Sequence, residues 1–149
     1  MANGKLMTGS ICLSEINEQA RNGHSAFYRG KNDKIYFNPF SHNISNINPY
    51  IENERNYPVD FIYTKSRVYI AEFNIPKYYK IEFYPENIRI NNNLIELNYN
   101  VLINEDKINV SFSYNFKKAI YEKEYYQDLK YYYNTICKKG NETLVLVKD

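Results

Sequence analysis

The chain of 149 residues has no tryptophan, two cysteines, two histidines and no long apolar run, and each shortage closes off a class of function. No stretch approaches the roughly 18 apolar residues of a membrane helix, so membrane insertion is not expected. Met1 to Ser10 lacks the apolar centre of a secretory signal. The expected compartment is the cytoplasm for the sequence as it stands. For a piece of a longer exported protein it would be the periplasm or the extracellular space. Cys12 and Cys137 lie far apart and outside any CxxC pattern, so they make no disulfide framework and read as free thiols. His24 and His42 are too few for a zinc site, which needs three or four ligands at recognisable spacing. Neither a P-loop nor a GxGxxG stands anywhere, which removes the sequence grounds for nucleotide binding. No metal and no cofactor are expected.

Catalytic groups are equally sparse. Cys12 and His24 are the residue types of a nucleophile and its base, but no third orienting group can be identified, and the pair reads as structural. Glu105-Asp106 has the carboxylates of acid–base chemistry, yet it falls on a turn and reads as a solvated pair. The chain is therefore not expected to be an enzyme. A net charge of +2 is too small to argue for nucleic acid by itself.

What the chain does have is aromatic surface. Aromatics make up 17% of it, as 17 Tyr and 8 Phe, while hydrophobic (44%) and charged (24%) shares are ordinary for a globular domain. Tyrosine has an apolar body and a polar tip, which suits half-buried strand faces and wet interfaces. The length fits one domain with a real core.

Along the chain, Ser14 to Arg21 offers a cap and first-turn carboxylates, predicting a short helix ended by Asn22-Gly23. Ile35-Tyr36-Phe37 is a short apolar run stopped by Asn38-Pro39, and residues 41 to 58 have the Pro and Asn chemistry of a long loop. Strands are predicted over Arg67–Phe73 and Tyr79–Tyr84. Leu94–Asn104 alternates, with Ile95, Leu97, Tyr99, Val101 and Ile103 on one face. Lys107–Phe116 alternates likewise, with Ile108, Val110, Phe112, Tyr114 and Phe116 inward. The short polar link between them predicts an antiparallel hairpin. From Glu122 to Lys139 the period becomes helical, with Tyr125, Leu129, Tyr132, Tyr133 and Ile136 on one face and Gly140 as C-cap. Leu144 to Val147 reads as a buried strand returning to the sheet.

The fold class expected is mainly β (α+β). It is an antiparallel β-sandwich-like domain over residues 35–149, with one C-terminal amphipathic helix packed on it, a short N-terminal helix, and an N-terminal arm over 1–34.

The tyrosines supply the candidate site. Tyr125, Tyr126, Tyr131, Tyr132 and Tyr133 alternate with Lys123, Lys130, Lys138 and Lys139. Aromatic platforms with interleaved cations bind single-stranded nucleic acid. Aromatic faces also bind sugars and proline-rich peptides. The plainer reading puts Tyr125, Tyr132 and Tyr133 in the core, with Tyr126 and Tyr131 at the rim. A smaller cluster is Tyr78, Tyr79 and Lys80. The candidate binding surface is thus Tyr78, Tyr79, Lys80, Lys123, Tyr126, Lys130 and Tyr131.

These residues carry a resemblance. Asn38-Pro39, Asn48-Pro49, Tyr57-Pro58-Val59-Asp60-Phe61, Asn74-Ile75-Pro76, the Lys107–Phe116 strand, and Tyr125 to Lys130 leading to Leu144-Val145-Leu146 resemble one bacterial family. It is the C-terminal β-sandwich domain of large transglutaminase-like proteins, and the match runs over about residues 35–149. The resemblance implies an accessory domain whose enzymatic partner core lies elsewhere, so no functional residue carries over. Gly9 to Ser14 and Gly23 to Phe27, through Lys34 to Phe37, resemble the opening of small phage or mobile-element proteins. That likeness implies single-stranded DNA binding. The expectation is a non-catalytic accessory domain that binds protein or glycan through a tyrosine-rich surface. The alternatives are a single-stranded nucleic-acid binder and a structural domain that needs a partner chain.

Overall fold

Alternation of inward and outward side chains governs the largest of three sheets. The structure, a computed structural model, describes residues 3–10, 27–29, 31–41 and 43–149, with only the backbone of 3–10, 27–29 and 31. The helix expected over Ser14 to Arg21 lies outside the described residues. In chain order the strands are β1 (Asn3–Ser10), β2 (Phe27–Arg29), β3 (Ile35–Phe37), β4 (Val59–Asp60), β5 (Lys65–Asn74), β6 (Tyr79–Phe83), β7 (Ile88–Asn91), β8 (Ile95–Asn104), β9 (Lys107–Phe116), β10 (Ile120–Tyr121) and β11 (Leu144–Lys148). A 3₁₀ turn at Lys123–Tyr125 leads into the helix α1 (Tyr126–Gly140).

The largest sheet has five strands in the order β1-β5-β9-β8-β7, and β4 and β10 form a separate two-stranded antiparallel pair. β8 and β9 form the expected hairpin, with Asn104 opposite Lys107 and Glu105 taking the positive φ of the turn (49°). Ile108, Val110, Phe112, Tyr114 and Phe116 all point inward from β9, and Ile95, Leu97, Tyr99 and Val101 do so from β8. Ile103, expected on the same face, is exposed because it sits beside the turn, past the reach of the covering layer. β1 is an addition to the expected strands. It runs parallel to β5, with Asn3 opposite Arg67 and Ser10 opposite Asn74.

The smaller of the two main sheets has four strands in the order β2-β3-β11-β6, and all its pairs are antiparallel. β11 is central, which explains its apolar run; Leu144 and Leu146 are fully buried. The sheets meet where the Phe37 ring packs edge-on against Phe73, with centroids 4.3 Å apart. α1 covers the other end of the large sheet. Tyr133 stacks on Phe116 at 5.1 Å with an interplanar angle of 22°. Leu129, Tyr132 and Ile136 complete the buried stripe.

Of the long loop expected over 41–58, the described residues 43–58 are irregular and strapped along α1. Asn48 Nδ2 donates to the Lys130 carbonyl (2.9 Å) and to Asn134 Oδ1 (2.8 Å). The Asn141 side-chain amide reaches the carbonyls of Ile44, Ser45 and Cys137. Asn141, rather than Gly140, therefore closes the helix. Gly140 is the last helical residue, and it is glycine for a different reason. A Cβ there would sit well inside van der Waals contact of Ile44 Cβ, Cγ2 and Cδ1.

Replacing glycine by alanine within a helix ordinarily gains about 1 kcal/mol. Here Gly140→Ala is expected to cost about 1–3 kcal/mol through overpacking against Ile44. Urea denaturation measures it, and adding Ile44→Ala should return part of the loss through the coupling of the two sites. A stabilised Gly140→Ala protein would refute this packing argument.

Candidate functional site

Four of the sequence-selected residues lie on or just before α1, but two of them hold the loop instead of facing solvent. Tyr126 was expected at the rim. It is buried at 3% exposure, packs edge-on against Tyr50 at 5.9 Å, and donates its hydroxyl to the Glu52 carbonyl at 3.1 Å. Lys130 is half-buried, with its ammonium on the carbonyls of Ile51 (3.3 Å) and Glu52 (2.9 Å). The adjacent Gln127 amide donates to the Asn53 carbonyl. The physical reason is that a long loop has backbone carbonyls with no ladder partner, and donors on the adjacent helix can satisfy them. Tyr126 and Lys130 supply them, which removes both from a free binding surface. Tyr125, expected in the core, is half-buried beneath the Lys118 ammonium, 4.8 Å from the ring centroid.

Lys123 stays exposed in the 3₁₀ turn and lines a shallow cleft with Glu54, Arg55 and Gln127. Tyr131 is the exposed tyrosine of the helix at 60%, packed edge-on against Tyr132 at 5.6 Å. The Tyr78-Tyr79-Lys80 cluster is not brought to α1. It opens β6 beside β11, where Tyr79 packs partly into the core and Lys80 pairs with Asp149 at 2.8 Å. Tyr78 is exposed, with a φ of 68°. Cys12, His24 and His42 lie outside the described residues.

The structure adds a groove of about 600 Å³ between β7 and α1. Ile88 and Ile90 form its floor, and Tyr131, Thr135 and Lys138 its helical wall. Arg89 also lines it, and no carboxylate does. Lys139, at its end, is tied to the Glu86 carbonyl and to Glu142, both at 2.8 Å, and lies over the Tyr99 ring at 5.2 Å. Among the described residues β7 pairs with β8 alone. Asn92 N donates to the Ile95 carbonyl at 3.0 Å, which sets the ladder phase. Ile90 and Ile88 then bond inward to β8, and the peptide groups of Arg89 and Asn91 point to the open edge. Sequence reasoning missed this groove because Ile88-Arg89-Ile90 is too short an alternation to stand out.

This is a mostly β architecture of antiparallel sheets with one C-terminal helix docked on it. The chain belongs to the DUF3858 family, a domain of unknown function with solved structure, whose pattern matches residues 33–146. The crystal structure of a candidate protease from Parabacteroides distasonis is similar over 98% of this chain, with a TM-score of 0.68 and 11% identity. At that identity the likeness is one of fold. The chain spans 27% of that protein's length. No curated protein matches it. Among the described residues no helix is long and apolar enough to cross a membrane.

The buried phenols give a pH prediction. Burial, the leading cause in each case, raises Tyr50, Tyr99, Tyr114 and Tyr133 above the ordinary tyrosine value, with Tyr133 pushed up to about 12. The folded state keeps protons that the unfolded chain releases near pH ~10. Stability from these groups is therefore full below about pH 10 and falls as pH climbs from there through the raised values. In an ultraviolet titration, this buried set should ionise only as the fold opens. A single transition near the ordinary value, with the fold intact, would contradict this.

Proposed function

We propose that this chain is a non-catalytic interaction module of a longer transglutaminase-like protein, and that it docks an extended polypeptide segment in the groove between β7 and α1. The observation that carries the reading is the open β7 edge lying beside a groove with an apolar floor and a cationic, tyrosine-bearing wall. An extended segment adding to a sheet edge gains main-chain hydrogen bonds for affinity, and flanking pockets select its side chains. Ile88 and Ile90 would receive alternate apolar side chains, and Arg89 and Lys138 would favour carboxylates between them. The family resemblance supports an accessory role. So does the share of the similar Parabacteroides protein that a domain of this size occupies.

A strand-like partner fits better than single-stranded nucleic acid. Stacking of successive bases needs several exposed rings in a row. On α1, Tyr126, Tyr132 and Tyr133 are buried, leaving Tyr131 as the exposed one. Lys130 is held by loop carbonyls.

The test is fluorescence anisotropy with two labelled probes, a peptide of alternating Val and Glu and a single-stranded oligonucleotide. Each is titrated at about 50 and 200 mM salt, the range over which phosphate-driven binding drops steeply. The peptide is expected to bind, and Tyr131→Ala should weaken it by about tenfold, or about 1.4 kcal/mol. Asn91→Pro deletes an outward-pointing amide while sparing the ladder to β8, as proline is tolerated on an edge strand. It should weaken binding at least as much. Tight oligonucleotide binding with steep salt dependence and no peptide binding would replace this reading with the nucleic-acid one.

A further inference from the structure

A second site lies on the opposite flank of α1, and it is independent of the groove. The odd-numbered residues of β5 face inward, and the alternation that buries Tyr69, Ala71 and Phe73 also turns Lys65 and Arg67 to the inner side. Lys65 lies opposite Phe116, and Arg67 opposite Tyr114. Two half-buried cations at successive inward positions are costly without counter-charge. The ion pairs of the described residues use Lys34, Lys80, Lys107 and Lys139, and none involves Lys65 or Arg67. Lys65 Nζ donates to the Tyr133 hydroxyl at 3.0 Å and lies 5.6 and 5.5 Å from the Phe61 and Tyr133 ring centroids. Arg67 donates to the carbonyl of its neighbour Ser66 at 2.8 Å.

Lys65 and Tyr133 border a cavity of about 300 Å³. Its polar side is Lys65 with the phenol-bearing Tyr69, Tyr114 and Tyr133, and its apolar side includes Ile44 and Ile136. Mostly apolar walls with a few convergent polar groups are the ordinary make-up of a small-molecule site. A cation without a carboxylate and neighbouring hydroxyls able to donate define the complement, which is an anion on an apolar body. We propose that this cavity binds a small organic carboxylate, with the carboxylate on Lys65 and the phenol hydroxyls and the hydrocarbon part against Ile44 and Ile136. Burial and the neighbouring Arg67 lower the Lys65 ammonium from its ordinary value. The opposite charge of a bound carboxylate would counter that lowering.

Phenylacetate titrated calorimetrically into the whole chain tests the site, with phenylacetamide as the uncharged control of the same shape. Saturable phenylacetate binding is expected, with none by the amide. Lys65→Met removes the charge and keeps the stem, and should weaken binding at least about tenfold, while Lys65→Arg should retain it. Tyr114→Phe removes one hydroxyl from a position that tolerates the ring. It should weaken binding several-fold, so the site can be judged even if Lys65→Met fails to fold. A peptide ending in a free phenylalanine carboxylate, compared with its amidated form, distinguishes a polypeptide terminus from a free acid as the source. Absence of saturable phenylacetate binding, or equal binding of the amide, would overturn the proposal. So would binding that neither Lys65→Met nor Tyr114→Phe alters. None of these outcomes bears on the β7 edge.

Discussion

Tyr133 stacked on Phe116 is the contact through which helix and sheet become one body. Phe116 ends the inward row of β9, and that row exists because side chains alternate faces along a strand. Tyr133 reaches it because α1 repeats its apolar positions on one face. Tyr50 from the long loop then packs edge-on against the same Tyr133 ring at 4.9 Å. Sheet, helix and loop thus share a single aromatic junction. Losing either ring of the stack would unseat α1 and, with it, the loop that has no ladder of its own.

The excess of tyrosine over phenylalanine follows from the same arrangement. A phenylalanine could fill most of these sites as well as a tyrosine does, but it could not serve a neighbouring polar group. The Tyr121 hydroxyl donates to the Leu94 carbonyl, and that of Tyr126 to the Glu52 carbonyl. The Tyr132 hydroxyl accepts from the Asn92 amide. Each ring is anchored in the core, and its tip holds a turn or loop in place. The composition that looks like a binding surface is in good part the means by which irregular backbone is satisfied. Of the helix tyrosines, Tyr131 is the one left exposed.

Much of the fold was legible from the residues. The β8–β9 hairpin, the inward rows of Ile95 and Ile108, the helical stripe from Leu129 to Ile136, the loop over 43–58 and the final strand were all readable from period and turn chemistry. The misses have physical causes. β7 and the β4–β10 pair are too short to show periodicity, and β1 is fixed by pairing to a strand far along the chain. Tyr126 and Lys130 were placed outward because helical spacing cannot show that a distant loop will lie over that flank. Gly140 marked the helix end correctly but for the wrong reason, since close approach of Ile44 demands it. Lys65 and Arg67 drew no notice, because a cation at a strand start looks solvated until its facing strand is known.

β11 stands last among the strands in chain order and yet occupies the middle of the smaller sheet, between β3 and β6. Its partner β3 lies over a hundred residues earlier, at the register Leu144 to Phe37. Closing a connection of that length costs chain entropy before any contact rewards it. The hairpin of β8 and β9 has no such delay. Assembly therefore has a built-in order. The β7-β8-β9 part of the large sheet can form from local pairings while β3 and β6 wait, unjoined, for the strand that belongs between them. Until it arrives, both expose unpaired edges, and the apolar faces of Ile35 and Phe37 have no finished layer around them. The smaller sheet is in effect a closing clasp, and the interval before it shuts is when this chain is most open to the wrong partner.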